Sequence, residues 1–189
     1  MKYFTRFLCL FFAAAMLLTM AACGSKNTDT DTDTNPDFPP FESLDGSDIV
    51  GIEPKLMQAI ADKLGMELVW EQVDFDSIIP GIQTGKYDMG MAGMTVTDER
   101  KEQVNFSDSY STGIQVVIVK EGGKVQSLDD MGAEGVIIGT QSGTTGFTYA
   151  SGDFGDEKVK GFTKTTDAVA ALINGQVDCV MLDNEPAKA

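Results

Sequence analysis

The chain contains no histidine among its 189 residues. That absence removes histidine zinc sites and the Ser-His-Asp and Cys-His nucleophile arrangements in one step. Cysteine is scarce. Cys9 lies in an apolar leader, Cys23 follows it, and Cys179 alone belongs to the globular part, so no intramolecular disulfide or cysteine metal site is available there. Basic residues are few, 14 against 29 acidic ones, for a formal net charge of −15. Such a surface excludes nucleic acid, whose phosphates need basic partners. It also means that an anionic ligand group must find cationic help locally, from a short list of candidates. No cofactor and no metal is expected.

Long apolar runs are confined to the start. Lys2 and Arg6 precede an apolar run from Phe7 to Leu18, and Ala21 and Ala22 precede Cys23, so residues 1–22 read as a secretory signal rather than a membrane span. The tetrapeptide Met20-Ala21-Ala22-Cys23 resembles a lipobox. Cleavage before Cys23 would place lipid on its thiol and anchor the chain outside a membrane; a plain signal peptide cut nearby is the alternative. Residues 23–34 read as the lipidated cysteine and a flexible acidic linker, because GSKNTDTDTDT has no apolar residue.

The remainder is 42% hydrophobic by whole-chain count, enough for one ordinary domain or two small lobes. NPDFPPFE is too proline-rich for a helix or central strand and reads as an irregular loop presenting Phe38 and Phe41. A helix starts at Glu53, buries Leu56, Met57, Ile60 and Leu64, and stops at Gly65. MELVW is a strand, and Asp76 caps a second helix. IQVVIVK from Ile114 reads as a strand buried on both faces. Ser127 and Asp130 have capping-box spacing, and VIIGT from Val136 is another buried strand. A helix spans Thr165 to Ile173 with Val169, Leu172 and Ile173 inward, and VDCVML is the last strand. Strands alternating with helices indicate an α/β architecture with largely parallel sheets.

Within this frame Ile82 to Arg100 holds the most chemistry. It reads as a helix tail, a turn at Gly85, a strand from Tyr87 to about Met91, and a polar loop opening a helix near Thr97. Gly93 permits close backbone approach, Thr95 offers a hydroxyl, and Arg100 offers a planar fork of donors suited to a carboxylate. The competing reading of Arg100 is a surface ion pair with Asp98, Glu99 or Glu102. Met89, Met91 and Met94 read as strand core and cleft lining rather than a metal site. An echo follows in the second half: Ile82, Gly85 and Asp88 precede a strand and then Gly93 and Thr95, while Leu172, Gly175 and Asp178 precede a strand and then Asp183 and Asn184. Two similar lobes would present polar groups at the carboxyl ends of their strands, where crevices form.

NPDFPPFE, GIEPKLMQAIADKLG, DFDSIIPGIQTGKYD, AGMTVTDER, NFSDSY, GTQSGTTG and the run from DAVAALINGQVD to LDNEPAK occur in one order. Together they resemble the extracellular solute-binding proteins, family 3, of polar amino acid ABC importers. The resemblance implies a two-lobed periplasmic-binding-protein-like fold (type II), with lobe 1 over 35–112, lobe 2 over 113–183, and 184–189 starting a return to lobe 1. It implies a monomer, not an enzyme, that closes over a free polar amino acid and delivers it to a membrane permease. Phe38 and Phe75 would pack on the ligand side chain. The Gly93 amide, Thr95, Arg100 and Thr145 would hold its carboxylate, and Asp183 or Asn184 its ammonium group. Asn35 and Gln141 fall where the side chain is read.

Two departures from that family are visible. TDTDTDT stands where a hydrophobic first strand is normal, and the family continues beyond LDNEPAK, so a shortened relative with an incomplete first lobe is expected. Two other readings compete. One is a cyclohexadienyl or arogenate dehydratase-like enzyme using Glu42, Asp74 or Glu185, carboxylates that otherwise read as solvated loop charges. The other is a ligand-sensing module.

Overall fold

The computed structural model describes residues 29–189, so the expected signal (1–22) and lipidation site Cys23 lie outside the described residues. The largest departure from expectation comes first in the chain. Asp29–Thr34 is no tether but strand β1. It is the middle strand of a parallel sheet, between β5 (Glu67–Gln72) and β6 (Met89–Gly90). β1 pairs with β5 along its whole length and sets Thr32 opposite Trp70, the only tryptophan. The physical reason is period rather than hydropathy. Asp-Thr alternation repeats every two residues, as a strand does, and threonine is β-branched. Thr30, Thr32, Asp33 and Thr34 are all buried. The opening strand thought to be lacking is therefore present, built from polar residues.

The proline-rich segment also gains more order than expected. Strands β2 (Asp37–Phe38), β3 (Glu42–Asp45) and β4 (Asp48–Val50) form a small antiparallel sheet, with Pro39 and Pro40 at its first turn. Helix α1 (Ile52–Leu64) follows and ends at Gly65 in the left-handed region. Its Met57 and Ala61 are buried, whereas Leu56 and Leu64 are exposed and Ile60 is half-buried, so the apolar stripe is covered on one side only. A 3-10 turn at Phe75–Ser77 leads into α2 (Ile78–Gln83). Asp76 lies inside that turn and caps nothing. After β6 comes the one-turn helix α3 (Asp98–Lys101), where the Thr97 hydroxyl accepts the Arg100 N–H at 3.2 Å.

The chain then crosses to a second sheet of β7 (Gln115–Val119), β8 (Ile138–Gln141), β9 (Val159–Phe162) and β10 (Cys179–Asp183), ordered β7-β10-β8-β9. β7 runs antiparallel to β10 and is a half-buried edge strand, which corrects the expectation of burial on both faces. The capping box at Ser127 and Asp130 is formed as its spacing requires. Helices α4 (Thr145–Phe154) and α5 (Thr165–Ile173) cover opposite faces. Alternation along β10 shows this: Cys179 and Met181 pack with Met131, Ile138 and Ala150, while Val180 and Leu182 pack with Ala168, Ala171 and Leu172. α5 buries Leu172 and packs Val169 against the core as expected, but not Ile173. Its small alanines let it approach the sheet closely, and Ile173 is left 68% exposed.

The internal echo is a structural repeat. Gly85 and Gly175 both adopt φ near +70°, and each following residue bonds back to the preceding helix, Lys86 N–H to the Gly81 carbonyl and Gln176 N–H to the Ala171 carbonyl. Each echo aspartate then exchanges two bonds with a neighbouring strand segment. Asp88 N–H donates to the Asp31 carbonyl and its Oδ2 accepts from Asp31 N–H; Asp178 does the same with Ile137. The same connection thus sets the last-entering strand in both sheets.

Candidate functional site

The carboxyl ends of the strands from both sheets converge on one cavity of about 20 Å³, room for roughly one water. Phe38, Phe75, Gly93, Thr95 and Arg100 reach it from the first sheet's loops, and Thr145 and Asp183 from the second. Seven of the eight expected ligand-binding residues are therefore brought together. Asn184 is not. Its Oδ1 accepts from Ile114 N–H at 3.1 Å and its Nδ2 donates to Glu185 at 2.8 Å, which turns it away and leaves Asp183 facing the cavity.

Arg100 does not make the surface ion pair. Asp98 pairs with Lys101 instead, at 3.1 Å, and among the described residues Arg100 forms no salt bridge. Its guanidinium lies over the Phe75 ring, 5.5 Å from the centroid. One arm donates to the Thr95 carbonyl at 2.7 Å and the other to the Gly143 carbonyl of the second lobe at 2.8 Å. Burial lowers its pKa, opposed by the negative charges of Glu99 and Asp183 and by Tyr149. A guanidinium has five donors, so several remain for a planar anion.

Gly93 sits at φ +56°, and a β-carbon there would stand 2.5 Å from the Phe38 ring. Its N–H, expected to meet a carboxylate, donates instead to Glu53 Oε1 at 2.9 Å. Gly93→Ala should therefore push the Phe38 ring aside and strain the loop by about 1–2 kcal/mol. The expected result is roughly tenfold weaker ligand binding by titration calorimetry, with the circular dichroism spectrum retained.

Gln115 was not singled out from the sequence, yet it organises the second-lobe wall. Its Nε2 donates to the Thr145 hydroxyl at 3.1 Å and to Asp183 Oδ1 at 3.0 Å. Burial raises the Asp183 pKa, while Gln115 and Arg100 pull it back. Asn35 and Gln141 meet each other across the lobes, Nε2 to Oδ1 at 2.8 Å, and Thr165 donates to Gln141 Oε1 at 3.1 Å. Thr166 N–H also reaches Asp37 Oδ2 at 3.2 Å, giving a third tie between lobes.

None of the carboxylates considered for an enzyme lines this cavity. Glu42 is fully buried in the first lobe, so it is neither a cleft acid nor the solvated charge it was thought to be. Burial first, and then Glu53 beside it, push its pKa up to about 9. Glu185 pairs with Lys188 at 2.7 Å, and Asp74 faces a separate groove of about 1030 Å³. That groove is far larger, but the Arg100 guanidinium and the Asp183 carboxylate converge in the smaller cavity. Cys179 is buried with its thiol pushed up to about 11, chiefly by that burial, as suits a packing residue.

Residues 32–188 match the family model of bacterial extracellular solute-binding proteins, family 3. The arginine-binding extracellular protein ArtP of Bacillus subtilis (strain 168) is 36% identical over 146 residues, covering 74% of this chain and 56% of its own length. The chain thus spans a little over half of that relative. An ancestral arginine-binding protein solved with arginine has a TM-score of 0.78 at 40% identity, over 85% of this chain and 72% of its own. The ancestral amino acid-binding protein AncCDT-1, described as a precursor of cyclohexadienyl dehydratase, has a TM-score of 0.79 at 33% identity, over 86% and 73%.

Proposed function

Because the chain belongs to the family 3 bacterial extracellular solute-binding proteins, we propose that it binds a free polar amino acid outside the cytoplasm and delivers it to an ABC importer permease. The observation that carries this reading is the pairing of one guanidinium with one carboxylate in a single small cavity lined by Thr95 and Thr145 hydroxyls. A zwitterion presents the complementary charges. Arg100 takes the α-carboxylate with Thr95 and Thr145, Asp183 takes the ammonium group, and Phe38 and Phe75 flank the side chain. Anchoring through lipid on Cys23 and action as a monomer belong to the same proposal.

Closure of the lobes follows from size. A cavity of about 20 Å³ is smaller than any amino acid, so the lobes must part at the Arg100–Gly143, Gln141–Asn35 and Thr166–Asp37 bonds. The ligand carboxylate then replaces the Gly143 carbonyl on Arg100, and binding to both lobes selects the closed form. Likeness to a dehydratase precursor favours an enzymatic second reading. The absence of Glu42, Asp74 and Glu185 from the cavity lining opposes it.

Titration calorimetry with a panel of free amino acids tests the proposal, beginning with L-arginine and L-histidine. Saturable heat with at least one of them is expected. A folded sample that releases no heat with any polar amino acid ends it.

A further inference from the structure

Two fully buried carboxyl groups, Glu42 and Glu53, lie in the first lobe outside the cavity lining. Glu42 opens β3, directly after the turn carrying Phe38 and Phe41, and accepts a bond from the Thr34 hydroxyl at the end of β1. Glu53 lies in the first turn of α1. Its Oε1 accepts two donors from distant segments. One is the Gly93 N–H at 2.9 Å, from the loop beneath the Phe38 ring. The other is the phenol of Tyr110, in the crossover that joins the two sheets. Glu42 lies close enough to Glu53 for each carboxyl to affect the other's charge.

Adjacent buried carboxyls resist joint ionisation, and burial first, then Glu53, raises the Glu42 pKa. Simple packing would be served as well by apolar side chains. What apolar groups could not do is hold two donors on one oxygen, one from the ligand loop and one from the crossover.

We propose that Glu53 is a positioning residue for the amino-acid site, tying the Gly93 loop to the Tyr110 crossover so that movement between the lobes is felt in the loop. This rests on the binding role proposed above. Tyr110 and Gly93 are linked through Glu53 Oε1, which accepts from both. Loss of the phenol therefore frees Glu53 to turn, and the Gly93 amide loses a fixed acceptor. A purely local role for Tyr110 would leave Gly93 unaffected.

Amide hydrogen exchange on the ligand-free chain tests the coupling. Tyr110 is 49% exposed, so Tyr110→Phe is chosen as the variant that keeps the fold. It should accelerate exchange about tenfold both in residues 107–113 and at Gly93. Glu53→Gln keeps an oxygen for both donors and should stay near wild type, whereas Glu53→Ala should accelerate both segments. With L-arginine as probe, Tyr110→Phe should raise Kd severalfold. Gly93 exchange that is unchanged in Tyr110→Phe overturns the proposal, as does an unchanged Kd despite faster exchange. A wild-type chain that binds no amino acid in the panel removes the binding reading separately, and the exchange comparison still decides the coupling.

Discussion

Arg100→Ala is expected to raise the Kd for the amino acid that the calorimetric panel identifies by at least about 100-fold, or about 3 kcal/mol. Charge-assisted, bidentate bonds between guanidinium and carboxylate are the strong class of hydrogen bond, and truncating one partner in a desolvated site typically removes about 2–5 kcal/mol. The guanidinium here is already set for the task. The Phe75 ring lies beneath it, the Thr95 carbonyl fixes one arm, and the other arm crosses to Gly143. Arg100→Lys should recover only part of the loss, because an ammonium group keeps the charge without the planar fork. The free protein should change little in stability, since the side chain is only half-buried and bonds to two carbonyls. Equal affinities for wild type and a folded Arg100→Ala variant, measured by calorimetry, would show that the anion is held elsewhere.

Asp33→Ala is expected to stabilise the protein at pH 8 by about 1–3 kcal/mol, the usual penalty of a buried polar group without a partner. Asp33 is 0% exposed in the middle of the β5-β1-β6 sheet, and neither carboxylate oxygen accepts a bond from another described residue. Its Oδ1 lies against Gly90, where a β-carbon would stand only 2.7 Å away. Burial raises its pKa from 3.8 to about 7, against smaller opposing effects of its own backbone and Lys86. The sign follows directly. The folded state prefers the protonated acid, so this contribution is complete below pH 3.8 and is lost as pH rises to about 7. Glu42 acts in the same direction, with its pKa raised from 4.5 to about 9. Wild type should therefore melt at a lower temperature at pH 8 than at pH 5. Asp33→Asn, which keeps the shape, should flatten that slope, and Asp33→Ala should lift Tm at pH 8 by several degrees. A variant less stable than wild type at pH 8 would mean that Asp33 has a partner after all.

The polar first lobe explains much of what could and could not be read in advance. The second lobe declared itself, because VIIGT and VDCVML are apolar runs that become β8 and β10, and Thr165–Ile173 is helical to the residue. In the first lobe, composition misled. A tract of threonine and aspartate looked like solvent-loving chain, yet its period of two fits a central strand flanked by β5 and β6 on either side. β9 was passed over because Lys160 and Gly161 interrupt its short apolar pattern. The cavity residues were legible through motif and family. Their engagements were not, because Glu53 claims the Gly93 amide from forty residues away and Asn184 is turned out by Ile114. Gln115 gave one faint signal, a polar residue opening an apolar strand.

Trp70 lies in the more polar sheet, opposite Thr32, and the second lobe has no tryptophan. Intrinsic fluorescence excited at the indole therefore reports on one lobe alone, whereas far-ultraviolet circular dichroism sums both. Coincident denaturation curves would mean that the lobes unfold as one cooperative unit, and an earlier fluorescence transition would give their separate stabilities without any label.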